Sequence, residues 1–294
     1  MSHKFKDVLD EKQVGIISDA TVIGIDIGSR TGKAVLLHKG HLYTAITPTG
    51  VHTQETADKL FGKLIKQTKL AQSDIDYIVG TGYGRVSLEF GEVPHWIVTE
   101  ISCHAMGAHV LNANVRSIVD IGGQDSKAIR VDPKTGKVVE FIMNDKCAAG
   151  TGRFLEKAAS LLDLTTEELG AESLKATKPS DVSSQCVVFA ESEVISLKAK
   201  GATRADIAAG IHIATARRVR NLFNRLGLEE ELVFTGGVSN NAGMKKVLEE
   251  ILGHKISEVK LNTIYAGALG AAVIAQKSFA SAVQEDERQE AVNG

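Results

Sequence analysis

The sequence predicts an α/β protein made of two similar domains, and three observations carry that expectation. A β-branched run over residues 21–27 closes on Asp26 and a glycine turn at 28–33, and residues 117–121 repeat this with Asp120 and the turn 122–127. Each turn leads into two further short strand patterns and then a helical one, so the halves share one order of elements. Elsewhere apolar residues recur at helical spacing, as Ile207, Ile211, Ala214, Val219, Leu222 and Leu226 do over residues 203–226. A duplication of this kind predicts two domains facing a cleft.

Residues 1–20 mix Lys, Asp, Glu and His and read as a polar leader. The strand at 21–27 is followed by strands near 34–37 and 42–46, separated by the Lys39-Gly40 turn. Over residues 53–70, Ala57, Leu60, Phe61, Leu64 and Ile65 share one helix face. A strand at 75–79 runs into Gly80-Thr81-Gly82, and Thr99 stands where it would cap a helix over 101–111. A linker near 112–116 marks the expected boundary. After the second Asp–Gly turn come strands 128–131 and 138–143, then helices 151–162 and 165–173. A polar loop at 177–184 precedes Cys186 and a helix over 189–200. The long helix 203–226 stops at Gly227. The strand 232–235 ends in Gly236-Gly237-Val238, a helix runs to Leu252, and a short strand at 256–259 precedes a small-residue helix, 264–276. The expected domains are therefore 21–114 with 265–278, and 115–264, between the leader and an acidic, frayed tail at 279–294.

Composition narrows the function classes. The 294 residues carry a net charge of −2, without the basic excess of a nucleic-acid binder. No apolar run approaches the ~18–20 residues of a membrane span, and the N-terminus has no apolar signal region. Three cysteines without an export signal point to reduced thiols in a cytoplasm. No nucleic-acid or membrane partner is expected.

The chemistry gathers at three places. A carboxylate ending a strand before glycines, as Asp26 and Asp120 do, suits Mg²⁺ or an ordered water, while glycine N–H groups and the hydroxyls of Ser29, Thr31 or Ser126 suit phosphate oxygens. Lys33 and Lys127 add positive charge. The first turn is no P-loop, because Gly28 to Gly32 encloses three residues instead of four and Ala34 stands for Ser/Thr. The third place is 144–155, Asn-Asp-Lys-Cys-Ala-Ala-Gly-Thr-Gly-Arg-Phe-Leu. Cys147 lies just before a helix N-terminus that favours a thiolate, and Gly150 and Gly152 allow close approach to a phosphate. Cys103 sits in an apolar helical pattern and reads as packing, and His104, His109 and His254 read as surface or packing residues.

Gly24-Ile25-Asp26-Ile27-Gly28-Ser29 resembles the first phosphate motif of the actin/hexokinase/heat-shock ATPase superfamily. Residues 120–125, Asp-Ile-Gly-Gly-Gln-Asp, resemble its second phosphate motif, and Phe234-Thr235-Gly236-Gly237-Val238 its adenosine motif. The stretches around Cys147 and 186–196, with Tyr265-Ala266-Gly267-Ala268-Leu269-Gly270 and Thr99-Glu100-Ile101-Ser102-Cys103, resemble the activators of 2-hydroxyacyl-CoA dehydratases. That family includes ATPase subunits of benzoyl-CoA reductases and reductases of double-cubane iron–sulfur proteins. The resemblance implies an actin-like ATPase (ASKHA) fold, two duplicated ribonuclease-H-like domains around a nucleotide cleft, holding ATP or ADP with Mg²⁺. It also implies a homodimer sharing one 4Fe–4S cluster, ligated by Cys147 and Cys186 of each subunit.

On that basis Asp26 and Asp120 serve Mg²⁺ and water, and Gln124 orients the attacking water. Gly28, Ser29, Arg30, Thr31, Lys33, Gly122, Gly123, Gly150, Thr151 and Gly152 line the phosphates, while Gly236, Gly237 and Val238 take the adenosine. Glu191 reaches the nucleotide side or complements its own helix. The implied activity is an ATPase coupled to low-potential electron transfer in an anaerobic cytoplasm. A ferredoxin or flavodoxin is the donor, and an iron–sulfur dehydratase, reductase or double-cubane protein the acceptor. A benzoyl-CoA reductase-type ATPase subunit, an actin-fold small-molecule kinase such as an amino-sugar kinase, and an ATP-gated assembly protein remain alternatives.

Overall fold

The computed structural model describes residues 2–15, 17–182 and 187–293. The chain divides into two compact units, Met1–Ala113 with Pro133–Lys137 and Val259–Gly294, and Asn114–Asp132 with Val138–Glu258.

The first unit begins with β1 (Ser2–Lys4), α1 (Phe5–Val8) and α2 (Glu11–Val14). The stretch that reads as a polar leader thus has structure. Ser2 to Lys4 pair with His41 to Tyr43, and Phe5, Val8 and Leu9 are buried. Three apolar side chains among charged ones are too few for a periodic signal but enough to anchor one turn. Then come β2 (Val22–Ile27), β3 (Thr31–His38), β4 (His41–Pro48), α3 (Thr53–Thr68), β5 (Tyr77–Thr81), β6 (His95–Ile97) and α4 (Glu100–Leu111). Their sheet runs β1-β4-β3-β2-β5-β6, antiparallel as far as β2 and parallel beyond it. β2 is buried along its whole length, which its unbroken Val-Ile-Gly-Ile-Asp-Ile composition matches. Ala57, Leu60 and Leu64 bury the inner face of α3 against one side of this sheet. Thr99 caps α4, its hydroxyl accepting from Ser102 N–H at 3.3 Å.

The second unit repeats the plan with β7 (Ser117–Ile121), β8 (Ser126–Val131) and β9 (Val138–Asn144), followed by α5 (Gly152–Leu161), α6 (Thr166–Ser173), α7 (Val187–Ala199), α8 (Arg204–Leu226), β10 (Leu232–Thr235) and α9 (Ala242–Leu252). Its sheet order, β10-β7-β8-β9, matches β5-β2-β3-β4 in both order and direction. The strand expected at 256–259 is reduced to a single bridge, Leu232 with Ile256.

The last helix, α10 (Ala266–Asn293), belongs to the first unit and continues through the stretch expected to fray. By length and composition, Thr263–Val283 satisfies the test for a membrane span, which corrects the expectation that no stretch would. Its first half is rich in Ala and Gly and packs inside the unit: Ala266, Ala268, Leu269, Ala271 and Ala272 are buried in one core with β2 and α4. Backbones touch there. A Cβ on Gly107 would come within 1.9 Å of Ala266 O, one on Gly270 within 1.8 Å of Cys103 O, and one on Gly24 within 2.0 Å of Ala268 O.

In the second unit a buried histidine joins α8 to α9. His212 Nδ1 lies 2.7 Å from Ala208 O and Nε2 3.0 Å from Asn241 Oδ1, and that same oxygen caps α9 by accepting from Met244 N–H at 2.8 Å. Burial lowers the His212 pKa, against the two hydrogen bonds, which raise it. The unfolded chain then binds a proton near pH 6.5 while the folded chain still excludes it, so this contribution to stability is complete above about 6.5 and is lost as pH falls below it. Urea titrations between pH 7.5 and 5 should show stability falling by up to about 1.4 kcal/mol per pH unit from this group. A His212→Gln variant should have a correspondingly shallower slope, and identical slopes would remove the histidine from the account.

Candidate functional site

The two Asp–Gly turns have the same construction, each within its own unit. In the first, Asp26 pairs with Lys33 across the β2–β3 ladder, and Lys33 Nζ lies 3.4 Å from Asp26 Oδ2 with both side chains buried. Gly28 N–H closes the turn onto Thr31 O at 3.2 Å. In the second, Asp120 pairs with Lys127 across β7–β8, and Lys127 Nζ sits between Asp120 Oδ2 at 3.1 Å and Asp125 Oδ1 at 2.8 Å. Gly122 N–H donates to Asp125 O at 3.0 Å. Lys127 is 2 % exposed, so its ammonium relies on carboxylates for the solvation it has lost.

Each turn is backed by a Thr-Gly pair on the neighbouring parallel strand. Thr235 lies opposite Asp120 and donates from Oγ1 to Asp120 Oδ1 at 3.0 Å. Gly236, at φ +90°, is pressed so close that a Cβ would stand 2.4 Å from Ile121 O and 2.7 Å from Asp120 Oδ1. In the first unit Thr81 lies opposite Asp26, and Gly82, at φ +92°, would place a Cβ 2.4 Å from Asp26 Oδ1. The carboxylates are thus held by a lysine on one side and a glycine backbone on the other. Thr81-Gly82 is the counterpart of Thr235-Gly236. A strand pattern running into Thr-Gly occurs in both halves of the sequence, but no local spacing ties Thr81-Gly82 to Asp26.

Other expected residues fall as follows. Ser29 and Thr31 are half-buried on the first turn and Arg30 is exposed. Gly28 O and Arg30 O accept from Thr49 Oγ1 at 2.7 Å and Thr49 N–H at 3.0 Å. Gln124 is half-buried on the second turn, Gly237 is exposed with open space where a Cβ would go, and Val238 N–H bonds Ile121 O at 3.2 Å. His104 belongs with Asp26: a Cβ on Gly267 would meet His104 Nε2 and Asp26 Oδ2 at 2.8 Å each. Nothing in the spacing of His104 from other residues showed this, since α10 brings Gly267 there from the far end of the chain.

The segment 144–155 is bound to the second turn through backbone. Gly152 N–H donates to Gly122 O at 2.8 Å and Arg153 N–H to Gly123 O at 2.9 Å. In this structure the amides at the start of α5 are thus spent on tying the helix to the turn. One step back, Thr151 Oγ1 donates to Ala148 O at 2.6 Å, and Asn144 Nδ2 donates to Cys147 O at 2.9 Å and Ala149 O at 3.2 Å. Gly150, at φ +91°, lies against the Arg218 side chain. Glu191 forms an ion pair with Lys157 at 3.1 Å, and Lys198 Nζ donates to Leu161 O at 2.8 Å, so α7 is fastened to α5 at both ends.

Of the cysteines, Cys103 is fully buried and burial pushes its thiol pKa up to about 12, which makes it unfit as a thiolate. Cys147 is half-buried on its turn. Cys186 lies outside the described residues, immediately before α7. The donor set fits the implied groups by chemistry: sulfur at Cys147 for iron, and carboxylate oxygen at Asp120 and Asp125 for a hard divalent cation.

A model of the BadF/BadG/BcrA/BcrD ATPase family matches residues 23–275, which includes both Asp–Gly turns and the segment 144–155. The chain belongs to this family. It is 43% identical over 259 residues to the (R)-2-hydroxyglutaryl-CoA dehydratase activating ATPase of Acidaminococcus fermentans, covering 88% of this chain and 98% of the relative. Among solved structures, the activator of 2-hydroxyisocaproyl-CoA dehydratase from Clostridium difficile, with bound ADPNP, superimposes with a TM-score of 0.82 at 37% identity, covering 90% of this chain and 97% of that one. A ROK family glucokinase from Streptomyces griseus, 14% identical with a TM-score of 0.56 over 88% of this chain and 100% of that one, shares the fold alone. The fold is that of the actin-like ATPases.

Proposed function

We propose that this chain is an ATP-dependent activator that passes single electrons at low potential to an iron–sulfur dehydratase or reductase. The observation that carries the reading is the backbone path from Gly122 and Gly123, through Gly152 and Arg153, to the turn holding Cys147. Nucleotide at the Asp–Gly turns and a redox group at Cys147 would share one mechanical element. The similarity to dehydratase-activating proteins, one of them solved with ADPNP, supports the same reading.

In this mechanism the chain works as a homodimer. Cys147 and Cys186 of each copy would hold one 4Fe–4S cluster, which supplies one-electron storage. Asp120 and Asp125 would hold Mg²⁺, with Lys127 exchanging its carboxylate partners for phosphate oxygens. Asp26, held by Lys33 and backed by Gly82, would orient water in the first unit, and Gln124 is the water-positioning group proposed for the second. The Gly28–Lys33 turn and the Gly122–Gly123 turn would each offer N–H groups to phosphate oxygens, and Gly236, Gly237 and Val238 would carry the adenosine. Any shift of the second turn on hydrolysis to ADP reaches α5 through its two backbone bonds, and α7 through Lys157–Glu191. A ferredoxin or flavodoxin is the proposed donor, a double-cubane protein an equally suitable acceptor, and an anaerobic cytoplasm the proposed location.

Anaerobic purification with an absorption spectrum and iron analysis tests this. About four irons per dimer are expected, and Cys147→Ala should lose them while retaining ATP hydrolysis. An iron-free dimer after anaerobic reconstitution would overturn the reading, and ATP consumption that required a sugar would replace it with a kinase.

A further inference from the structure

We propose that the first unit also carries a binding site for a small, multiply charged anion, in a cavity separate from the Asp26 turn. The cavity has a volume of about 290 Å³, at the small end for ligand pockets and suited to a molecule the size of a diphosphate or a tricarboxylate. Four separate stretches of chain build it. Met106 and Val110 of α4 and Val273 of α10 form a buried apolar floor. Gln13 reaches in from α2, its Nε2 3.1 Å from His109 Nε2, with both side chains buried. The rim is cationic: Lys134 and Lys137 from the β8–β9 turn, and Lys277 from α10.

Three features make this a receptor for negative charge. Among the described residues lining the cavity there are three lysines and no aspartate or glutamate. The Lys277 ammonium turns toward the apolar floor, 3.6 Å from Met106 Sδ, and its pKa is lowered by desolvation and then by the charge of Lys137. Cations gathered at an apolar wall repel one another, and a bound anion would relieve both the repulsion and the desolvation. The lysines on the turn are also held in place. Gly136 lies between Lys134 and Lys137 at φ +69°, so tight against α4 that a Cβ would stand 2.7 Å from His109 Cδ2. Phosphate- and carboxylate-rich molecules share the chemistry this rim would recognise.

Lysine footprinting of the full-length chain tests the proposal without any variant. The chain is treated with limiting acetic anhydride, with and without inorganic pyrophosphate or citrate, at ionic strength matched with sodium chloride, and each lysine is read by mass spectrometry. At about ten times its dissociation constant, a bound anion should slow acetylation of Lys137 and Lys277 about tenfold. The exposed Lys59 on α3 should be unaffected, and Lys33 and Lys127 report separately on the Asp–Gly turns. Protection by pyrophosphate, by citrate or by both supports the site and identifies which anion class it takes. Calorimetry of a Lys137→Gln/Lys277→Gln variant, saturated with ADP, should then show that binding lost. Unchanged reactivity of Lys137 and Lys277 with both anions, or equal protection of Lys59, would overturn the proposal.

Discussion

An Asp120→Asn chain is expected to hydrolyse ATP at least about 10²-fold more slowly than the parent, if this carboxylate serves Mg²⁺ and water as proposed. The geometry makes asparagine a poor substitute. Asp120 Oδ2 accepts from the Lys127 ammonium and Oδ1 from the Thr235 hydroxyl, so an amide NH₂ must face one of two donors. Lys127 would be left buried, with the carboxylate of Asp125 still 2.8 Å away. We expect a stability loss of about 3 kcal/mol, the low end for breaking a buried pair, because the Asp125 contact at 2.8 Å persists. Phosphate release and urea unfolding measured on the same preparation separate the two effects. Parental hydrolysis by the variant would take Asp120 out of the chemistry.

The second large effect is structural. Gly270→Ala places a methyl 1.8 Å from Cys103 O and 2.6 Å from Gly107 N, both backbone atoms that no side-chain rotation can move. The α4–α10 contact must open, and the expected cost exceeds about 4 kcal/mol, enough to leave little folded protein. Gly62→Ala is the control. Gly62 lies in the exposed part of α3 with nothing within 4 Å of a new Cβ, so alanine should stabilise the chain by up to about 1 kcal/mol. Thermal unfolding of the two variants should therefore shift in opposite directions. A Gly270→Ala protein with parental stability would show that the helices have room to separate.

Much of the candidate site was legible because its chemistry is local. Asp26 and Asp120 stand near the ends of β-branched strands just before glycines, and a carboxylate there lies beside the turn that follows its strand. The Asp–Lys pairs were half visible. In both halves the lysine follows the aspartate by seven residues, and a tight hairpin places those two opposite each other. The Thr81–Gly82 backing was not visible, because it depends on a parallel partner strand more than fifty residues away, whose register no local pattern specifies.

What the sequence by itself determined is the duplicated order of strands and helices, the two Asp–Gly turns, and the placing of Cys147 just ahead of a helix. Each rests on neighbouring residues whose φ/ψ preferences and polarity act over a few positions. What only the tertiary structure decided lies between distant segments: the glycine contacts of α10 with β2 and α4, His104 beside Asp26, the amides of Gly152 and Arg153 bound to Gly122 and Gly123, and the lysine-rimmed cavity. Those features arise from close packing of backbones, where a single Cβ is the difference between contact and clash, and a one-dimensional pattern carries no measure of that distance.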